Sequence, residues 1–439
     1  MNYRDTLFVN QSGHLVIGGL DTVDLVNRFS TPLYVLDEQY VRRVCRAFLS
    51  TLKDGYGDGT VAYASKAFST KAIYKIVGEE NMSVDVVSMG EMATALSVGF
   101  PASKMYFHGN NKLVSELTFA IDNGIGTIVV DNLEEIDIID DIARDRGVVQ
   151  NILFRTNPGV EAHTHNFVQT AKIDSKFGFS IANGEADEAV KVALEKKNVK
   201  LLGFHSHIGS QIFEKQAFAL AVDKLTDYIV HVKDAFGFVT EVLNMGGGFG
   251  VWYTDEDPAF SVEEYATYVK NITDTLSECV SNKGIKKPYL VLEPGRSIVG
   301  EAGITLYSVG MIKDIKDVKK YVCIDGGMGD NPRFALYQAK YSAVVANNAN
   351  AKPTQTVTLA GKCCESGDVI ATVELPEVKR GDIIAVFTTG AYNYSMASNY
   401  NRNPIPPVVL VKDGKADYIV RPQTIEDITA RDVTPEWIK

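Results

Sequence analysis

Val61-Ala62-Tyr63-Ala64-Ser65-Lys66 is a short apolar run that ends abruptly on a lysine. The residues up to Ala64 read as a buried strand, and Ser69 to Glu79 beyond the lysine carries helix-like spacing. A lysine at the exit of a buried strand sits at the mouth of a barrel or sheet. There its amine can be partly desolvated, which lowers its pKa and leaves a nucleophile. The alternative is a surface lysine opening a loop, and the rest of the chain has to decide between them.

The strand-helix alternation continues. Eight apolar runs follow one another: Val61–Ala64, Ser83–Val87, Met105–His108, Thr127–Val130, Ile152–Thr156, Leu201–His205, Glu241–Asn244 and Tyr289–Leu292. Between them, Glu91–Val98, Lys112–Asn123, Leu133–Arg146, Gly184–Lys196, Ala217–Ala235 and Val262–Val280 carry apolar residues at three- and four-residue intervals. Such alternation implies parallel strands with crossover helices. Eight strands predict an α/β fold, a TIM-like (β/α)8 barrel over residues 37–303 with chemistry at the C-terminal strand ends. A doubly wound open sheet is the alternative. After Gly303 the pattern changes to short β-rich pieces broken by Gly, Pro, Asn and Asp, which predicts a mostly antiparallel β-domain over 304–439. The early strands His14–Ile17 and Leu33–Leu36, within residues 1–36, are expected to join it.

Composition narrows the function classes. A chain of 439 residues is long enough for two domains, and its net charge of −11 argues against general nucleic-acid affinity. The start, Met1-Asn2-Tyr3-Arg4-Asp5, leads into no apolar signal region, and no stretch is long and apolar enough to cross a bilayer. Five cysteines without a framework spacing point to reduced thiols in the cytoplasm.

The barrel makes a demand that the strand ends meet. The first run ends at Lys66, the second holds Asp85 and leads to Ser88, and the third gives His108-Gly109-Asn110-Asn111. The sixth gives His205 to Gln211, the seventh Gly246-Gly247-Gly248-Phe249-Gly250, and the eighth Glu293-Pro294-Gly295-Arg296. Three consecutive glycines after a strand let backbone N–H groups approach an anion. Ser210 and Arg296 add a hydroxyl and a guanidinium suited to phosphate oxygens. His205 and His207 alternate along an extended chain and face one side, a pattern also used by metal hydrolases. Those enzymes resemble this one poorly, because they carry the pair after the first strand with further histidines later, so no metal is expected. His207 is better placed to stack on a planar ring and His205 to be structural. Glu293 in a barrel mouth needs a partner, either a pyridinium N–H or Arg296.

A lysine, a phosphate cradle, a ring-stacking histidine and a carboxylate for a ring nitrogen describe a pyridoxal 5'-phosphate pocket. The chain resembles the fold-type III pyridoxal-phosphate decarboxylases, most closely their diaminopimelate branch. The resemblance runs in order through Tyr63–Lys66, Ala162-His163-Thr164-His165, Asp174-Ser175-Lys176-Phe177-Gly178, His205–Gln211, Gly246–Gly250 and Glu293–Arg296. It continues through Asn331-Pro332-Arg333 with Tyr337, Cys363-Cys364-Glu365-Ser366-Gly367-Asp368 and Gly390-Ala391-Tyr392, and so covers nearly the whole chain.

The resemblance implies a homodimer with shared sites and the conversion of meso-2,6-diaminopimelate to L-lysine and carbon dioxide. It implies that Lys66 carries the cofactor, that His207 stacks on its ring and that Glu293 partners the ring nitrogen. Asp85, Ser210, Gly246, Gly247, Gly248, Arg296 and Tyr392 match cofactor contacts. Arg296, Arg333, Tyr337, Glu365 and Tyr392 match substrate contacts, and Cys364 of the other subunit matches the proton donor. Glu293 at the ring nitrogen favours decarboxylation over racemisation, because the related alanine racemases place an arginine there. Other basic amino acids (ornithine, lysine, arginine, carboxynorspermidine) are alternative substrates, but Arg333 suits the distal carboxylate that ornithine and lysine lack. A catalytically dead regulator is a further alternative, opposed by the retention of Lys66, Glu293 and Cys364. Phe68, where many relatives have asparagine, and Trp252, where arginine is frequent, depart from the family pattern.

Overall fold

A computed structural model describes residues 3–160, 176–258 and 260–438. The chain divides into two units: Arg42–Val251 with Phe260–Ile298, and Met1–Val41 with Trp252–Ala259 and Val299–Lys439.

The first unit is the barrel. Its strands are β1 (Gly59–Ala64), β2 (Ser83–Val86), β3 (Met105–Phe107), β4 (Thr127–Val130), β5 (Gln150–Asn157), β6 (Val199–His205), β7 (Val242–Asn244) and β8 (Tyr289–Leu292). Each pairs in parallel with the next, and β8 returns to β1 through Leu290↔Gly59 and Leu292↔Val61. The sheet therefore closes, which excludes the open doubly wound alternative. A two-residue strand, Phe179–Ser180, extends the pairing along the far end of β5. Barrel strands are covered on both faces, which is why they read as unbroken apolar runs: β2 and β4 are buried at every position.

Helices follow the strands in turn: α1 (Lys71–Glu79), α2 (Met89–Leu96), α3 (Val114–Asp122), α4 (Leu133–Arg146), α5 (Glu185–Glu195), α6 (Lys215–Phe236) and α7 (Val262–Lys283). Their ends follow local chemistry. Ser88 and Asn132 cap α2 and α4 by accepting the N–H groups of Glu91 and Glu135. Gly147, Gly237 and Gly284 close α4, α6 and α7 in the left-handed conformation. A further helix, Glu38–Gly55, precedes β1 and buries Val41, Val44, Cys45, Phe48 and Leu52 along one face.

The second unit is built on a sheet ordered Val369–Leu375, Gln355–Ala360, Lys319–Ile324, Gly303–Ile315, Leu33–Asp37, Val408–Lys412 and Lys415–Val420. Most neighbours are antiparallel; the pairs Lys319–Ile324 with Gln355–Ala360 and Leu33–Asp37 with Val408–Lys412 are parallel. Leu33–Asp37 joins this sheet as expected and lies between strands more than 260 positions away in sequence. Leu15–Ile17 pairs instead in a separate three-stranded sheet with Leu7–Val9 and Leu20–Asp21. No helix among the described residues is long and apolar enough to cross a membrane.

Candidate active site

Glu293, directly after β8, is buried and receives three hydrogen bonds from three other strand ends. His108 Nε2, after β3, lies 2.8 Å from Oε1, and Asn244 Nδ2, closing β7, donates to the same oxygen at 2.7 Å. His205 Nε2, closing β6, lies 3.1 Å from Oε2. Burial pushes the Glu293 pKa up, but His108 and His205, through their electrostatics and their hydrogen bonds to it, outweigh burial and hold the carboxyl well below its usual range. An ionised carboxylate only accepts, so both imidazoles present N–H through Nε2. Burial holds His205 itself down to about 4, and its ring is neutral at ordinary pH. The partner of Glu293 in this structure is thus the two histidines and Asn244, while Arg296 donates through Nη2 to Ser210 Oγ at 3.1 Å.

Asp85, within β2, faces the same cluster. Its Oδ1 is buried, has no hydrogen-bond partner among the described residues and lies 3.8 Å from His108 Nε2. Burial raises its pKa, the nearby Glu293 adds to the rise, and His108, Lys66 and Arg155 oppose it. The donor atoms of His108, His205 and Glu293 lie within 4.8 Å of one another, close enough for a metal ion as well as for the hydrogen bonds they make. His207 is not part of that group.

Lys66 stands in a single 3-10 turn, Ser65–Ala67, at the exit of β1. The desolvation expected of its amine is not found: Lys66 is exposed. Its backbone is nonetheless fixed on both sides. Tyr63 donates its hydroxyl to the Phe68 carbonyl, and Ser65 donates to the Asp85 carbonyl and shares Glu91 Oε2.

The glycine turn after β7 is tight. Gly246 and Gly248 have φ of +63° and +109°, conformations open to glycine. A Cβ on Gly247 would collide with the Glu293 carbonyl, and one on Gly248 with the Gly209 carbonyl. The Gly247 N–H donates to His207 Nδ1 at 3.2 Å, and the Gly246 N–H to Asn244 Oδ1 at 2.9 Å. Burial, then the cations Lys66 and Arg155, hold the His207 pKa well below its ordinary value. His207 is therefore a neutral ring whose Nδ1 is already engaged.

Arg155 was missed in the sequence. It lies on β5 directly opposite His205 in the β5–β6 register, with its guanidinium 4.3 Å from the Phe177 ring centroid. Burial lowers its pKa, and Asp131, Glu293 and Asp85 counter that effect. Lys176, Phe177 and Gly178 are described; Ala162-His163-Thr164-His165, Asp174 and Ser175 lie outside the described residues.

The remaining candidates belong to the sheet unit. Arg333 opens the short helix Arg333–Tyr337 and is 7% exposed. Its Nη1 donates to the hydroxyls of Tyr253 at 2.9 Å and Tyr341 at 2.8 Å, and Tyr341 in turn meets Asn393 Oδ1 at 3.1 Å. Burial works against its charge, and the two tyrosines more than restore it. Neither tyrosine was read as part of the site. Tyr337, at the other end of the helix, is exposed. Cys364 and Glu365 are also exposed, with the Cys364 N–H on Asn401 Oδ1 at 2.8 Å. Tyr392 is half-buried with φ of +63°.

A family model described as the pyridoxal binding domain of pyridoxal-dependent decarboxylases matches residues 39–300. The chain belongs to the pyridoxal-dependent decarboxylases. Within that family it is 49% identical to a diaminopimelate decarboxylase of Bacillus methanolicus, over 96% of this chain and 97% of the relative. A diaminopimelate decarboxylase of Bacillus subtilis (strain 168) is 48% identical over 97% and 96%. A crystal structure of diaminopimelate decarboxylase from M. jannaschii in complex with L-lysine superposes with a TM-score of 0.91, at 34% identity and 99% coverage of both chains. These decarboxylases use pyridoxal phosphate, and their barrel and mostly antiparallel sheet are those of this chain.

Proposed function

We propose that this protein decarboxylates meso-2,6-diaminopimelate to L-lysine and carbon dioxide. The observation that carries the reading is Glu293, a buried carboxylate kept ionised by His108, His205 and Asn244. An ionised carboxylate at that depth suits a protonated ring nitrogen and therefore a strong electron sink. The barrel residues fit pyridoxal phosphate on further grounds: Lys66 at a strand exit, a glycine turn with no room for Cβ atoms, and the Ser210–Arg296 pair. Pyridoxal phosphate, when bound, supplies the sink for the electron pair left as carbon dioxide departs.

The residues divide the remaining work. Lys66 would hold the cofactor through its side-chain amine. Glu293 keeps a proton on the ring nitrogen, and Asp85 adds a second carboxylate nearby. His207, neutral and oriented by the Gly247 N–H, offers its face to the ring. Gly246, Gly247, Gly248, Ser210, Arg296 and Tyr392 bind phosphate oxygens. Arg333, set by Tyr253 and Tyr341, pairs with the distal carboxylate, and Arg296, Tyr337, Glu365 and Tyr392 complete the substrate contacts. Cys364 returns a proton to the substrate carbon.

The same reading makes the protein a cytoplasmic homodimer, in which Cys364 serves the partner's barrel. Residues 37–303 form the cofactor domain, and 1–36 with 304–439 form the domain that contributes to the dimer interface and the site. The similarity to diaminopimelate decarboxylases along nearly the full chain, and the five free cysteines, support it. The test incubates purified protein and pyridoxal phosphate with a panel of amino acids and follows carbon dioxide. Release from meso-diaminopimelate well above that from ornithine, lysine and arginine is expected; release from ornithine alone refutes the reading.

A further inference from the structure

Two buried carboxylates in the sheet unit meet one turn of the backbone. Asp330 and Asp368 are 6% and 4% exposed. Asp330 Oδ1 accepts the Gly327 N–H at 2.8 Å, and Asp368 Oδ1 accepts the N–H of the next residue, Met328, at 2.6 Å. The second oxygen of Asp368 accepts the Cys363 N–H at 2.6 Å, so a single carboxylate bridges two chain segments. Around it, Lys362 N–H reaches the Gly326 carbonyl at 3.0 Å, Gly361 N–H the Asp368 carbonyl at 2.9 Å, and Ser398 N–H the Gly329 carbonyl at 2.8 Å. On the other side, the N–H groups of Asp330 and Asn331 return to the Gly327 carbonyl at 3.0 and 2.9 Å, two residues before Arg333. The fit is close: Cβ atoms on Gly327 or Gly361 would run into the Asp368 carboxylate.

We propose that Asp368, with Asp330, is a positioning residue that clamps the Gly327-Met328 turn and so yokes Arg333 to the Cys363-Cys364-Glu365 loop as one rigid unit. The proposal rests on the reading of Arg333 as the distal-carboxylate contact and Cys364 as the proton donor. Hydrogen bonds to a carboxylate are shorter and about twice as strong as neutral ones, and two from different segments fix their spacing. An asparagine at 368 has one acceptor oxygen and turns an NH2 group toward an N–H, so it holds one segment and repels the other. A displacement of about 1 Å in such a site can cost about 10²-fold in rate.

The experiment uses the pyridoxal-phosphate-loaded protein and the variants Asp368→Asn and Gly361→Ala. The second variant shifts the carboxylate without removing it and covers the case in which the first does not fold. Hydrogen–deuterium exchange should speed up together in peptides spanning 326–337 and 361–368, while barrel peptides and cofactor affinity stay as in the parent. Steady-state kinetics should show both a higher KM, the expected signature of a displaced Arg333, and a lower kcat, that of a displaced Cys364, with kcat/KM down about 10²-fold. Faster exchange confined to 361–368, or a kcat and KM both unchanged, overturns the yoke. If exchange in the two segments rises together but Cys364→Ala retains full activity, the link stands and the proton-donor reading fails.

Discussion

His108 Nε2 and Glu293 Oε1 lie 2.8 Å apart, joining two strand ends separated by 185 positions in the chain. Together with Asn244 and His205 this contact lets a buried carboxylate remain charged. Removing a partner of a buried charged group costs more than the bond's net value, because the charge is left unsatisfied. His108→Ala should therefore lose about 1.5–3 kcal/mol of stability and weaken cofactor binding. Chemical denaturation and a pyridoxal phosphate titration measure the two effects; a variant as stable as the parent with unchanged affinity contradicts this role.

Asp330 gives a pH dependence of defined sign. Burial, reinforced by Asp368 and Asp325 and opposed by the Tyr307 hydroxyl and the Gly327 N–H, raises its pKa from 3.8 to about 7. Tyr34 also reaches its backbone carbonyl. The folded chain thus binds a proton that the unfolded chain has already released. This contribution is complete below about pH 4 and is lost as pH rises through about 7. Asp330→Asn keeps an oxygen for Gly327 and offers an N–H to Tyr307, so it should be flatter with pH. Melting temperatures from pH 4 to pH 8 should move in favour of the variant by several degrees; parallel curves contradict the assignment.

How much of this was legible in the sequence depends on the range of each contact. Lys66, the glycine turn and Glu293 could be found because each directly follows an apolar run, and the barrel rule turns that local position into a location. The pairing of His108 and Asn244 with Glu293 could not, because it exists only once the sheet closes and brings the C-terminal ends of β3, β7 and β8 to one mouth of the barrel. Arg155 was hidden inside a run, where a charge on a strand looks like an interruption. Tyr253 and Tyr341 reach Arg333 from 80 and 8 positions away with no shared motif. The expected desolvation of Lys66 also differs from the structure, because burial depends on neighbours that spacing does not reveal. The Glu38–Gly55 helix stands before the first barrel strand, outside the strand–helix alternation, although Val41, Val44, Cys45, Phe48 and Leu52 carry helical spacing.

Arg333 should govern substrate choice more than cofactor retention. Its guanidinium is buried and oriented by two tyrosines, so a substrate lacking the distal carboxylate leaves a desolvated cation without its ligand. Arg333→Ala should lower kcat/KM for diaminopimelate by about 10²-fold or more while the cofactor titration is unchanged. Equal rates for the parent on ornithine and diaminopimelate contradict the assignment.

Cys364 should act in trans. Alone, Cys364→Ala should keep its cofactor and lose about 10²–10⁴-fold in kcat. Refolding Lys66→Ala chains with Cys364→Ala chains should make about half the dimers mixed, each with one intact site, and recover about a quarter of parental activity. Failure of mixing to restore activity places each cysteine with its own barrel.

The most direct test of the central claim follows both products of meso-diaminopimelate in one assay. The pyridoxal-phosphate-loaded parent should release carbon dioxide and lysine in equal amounts, and borohydride should fix the cofactor covalently to the peptide containing Lys66. Lys66→Ala should yield neither product nor the labelled peptide. Undiminished carbon dioxide from Lys66→Ala, a label on another lysine, or disappearance of diaminopimelate without lysine would contradict the account.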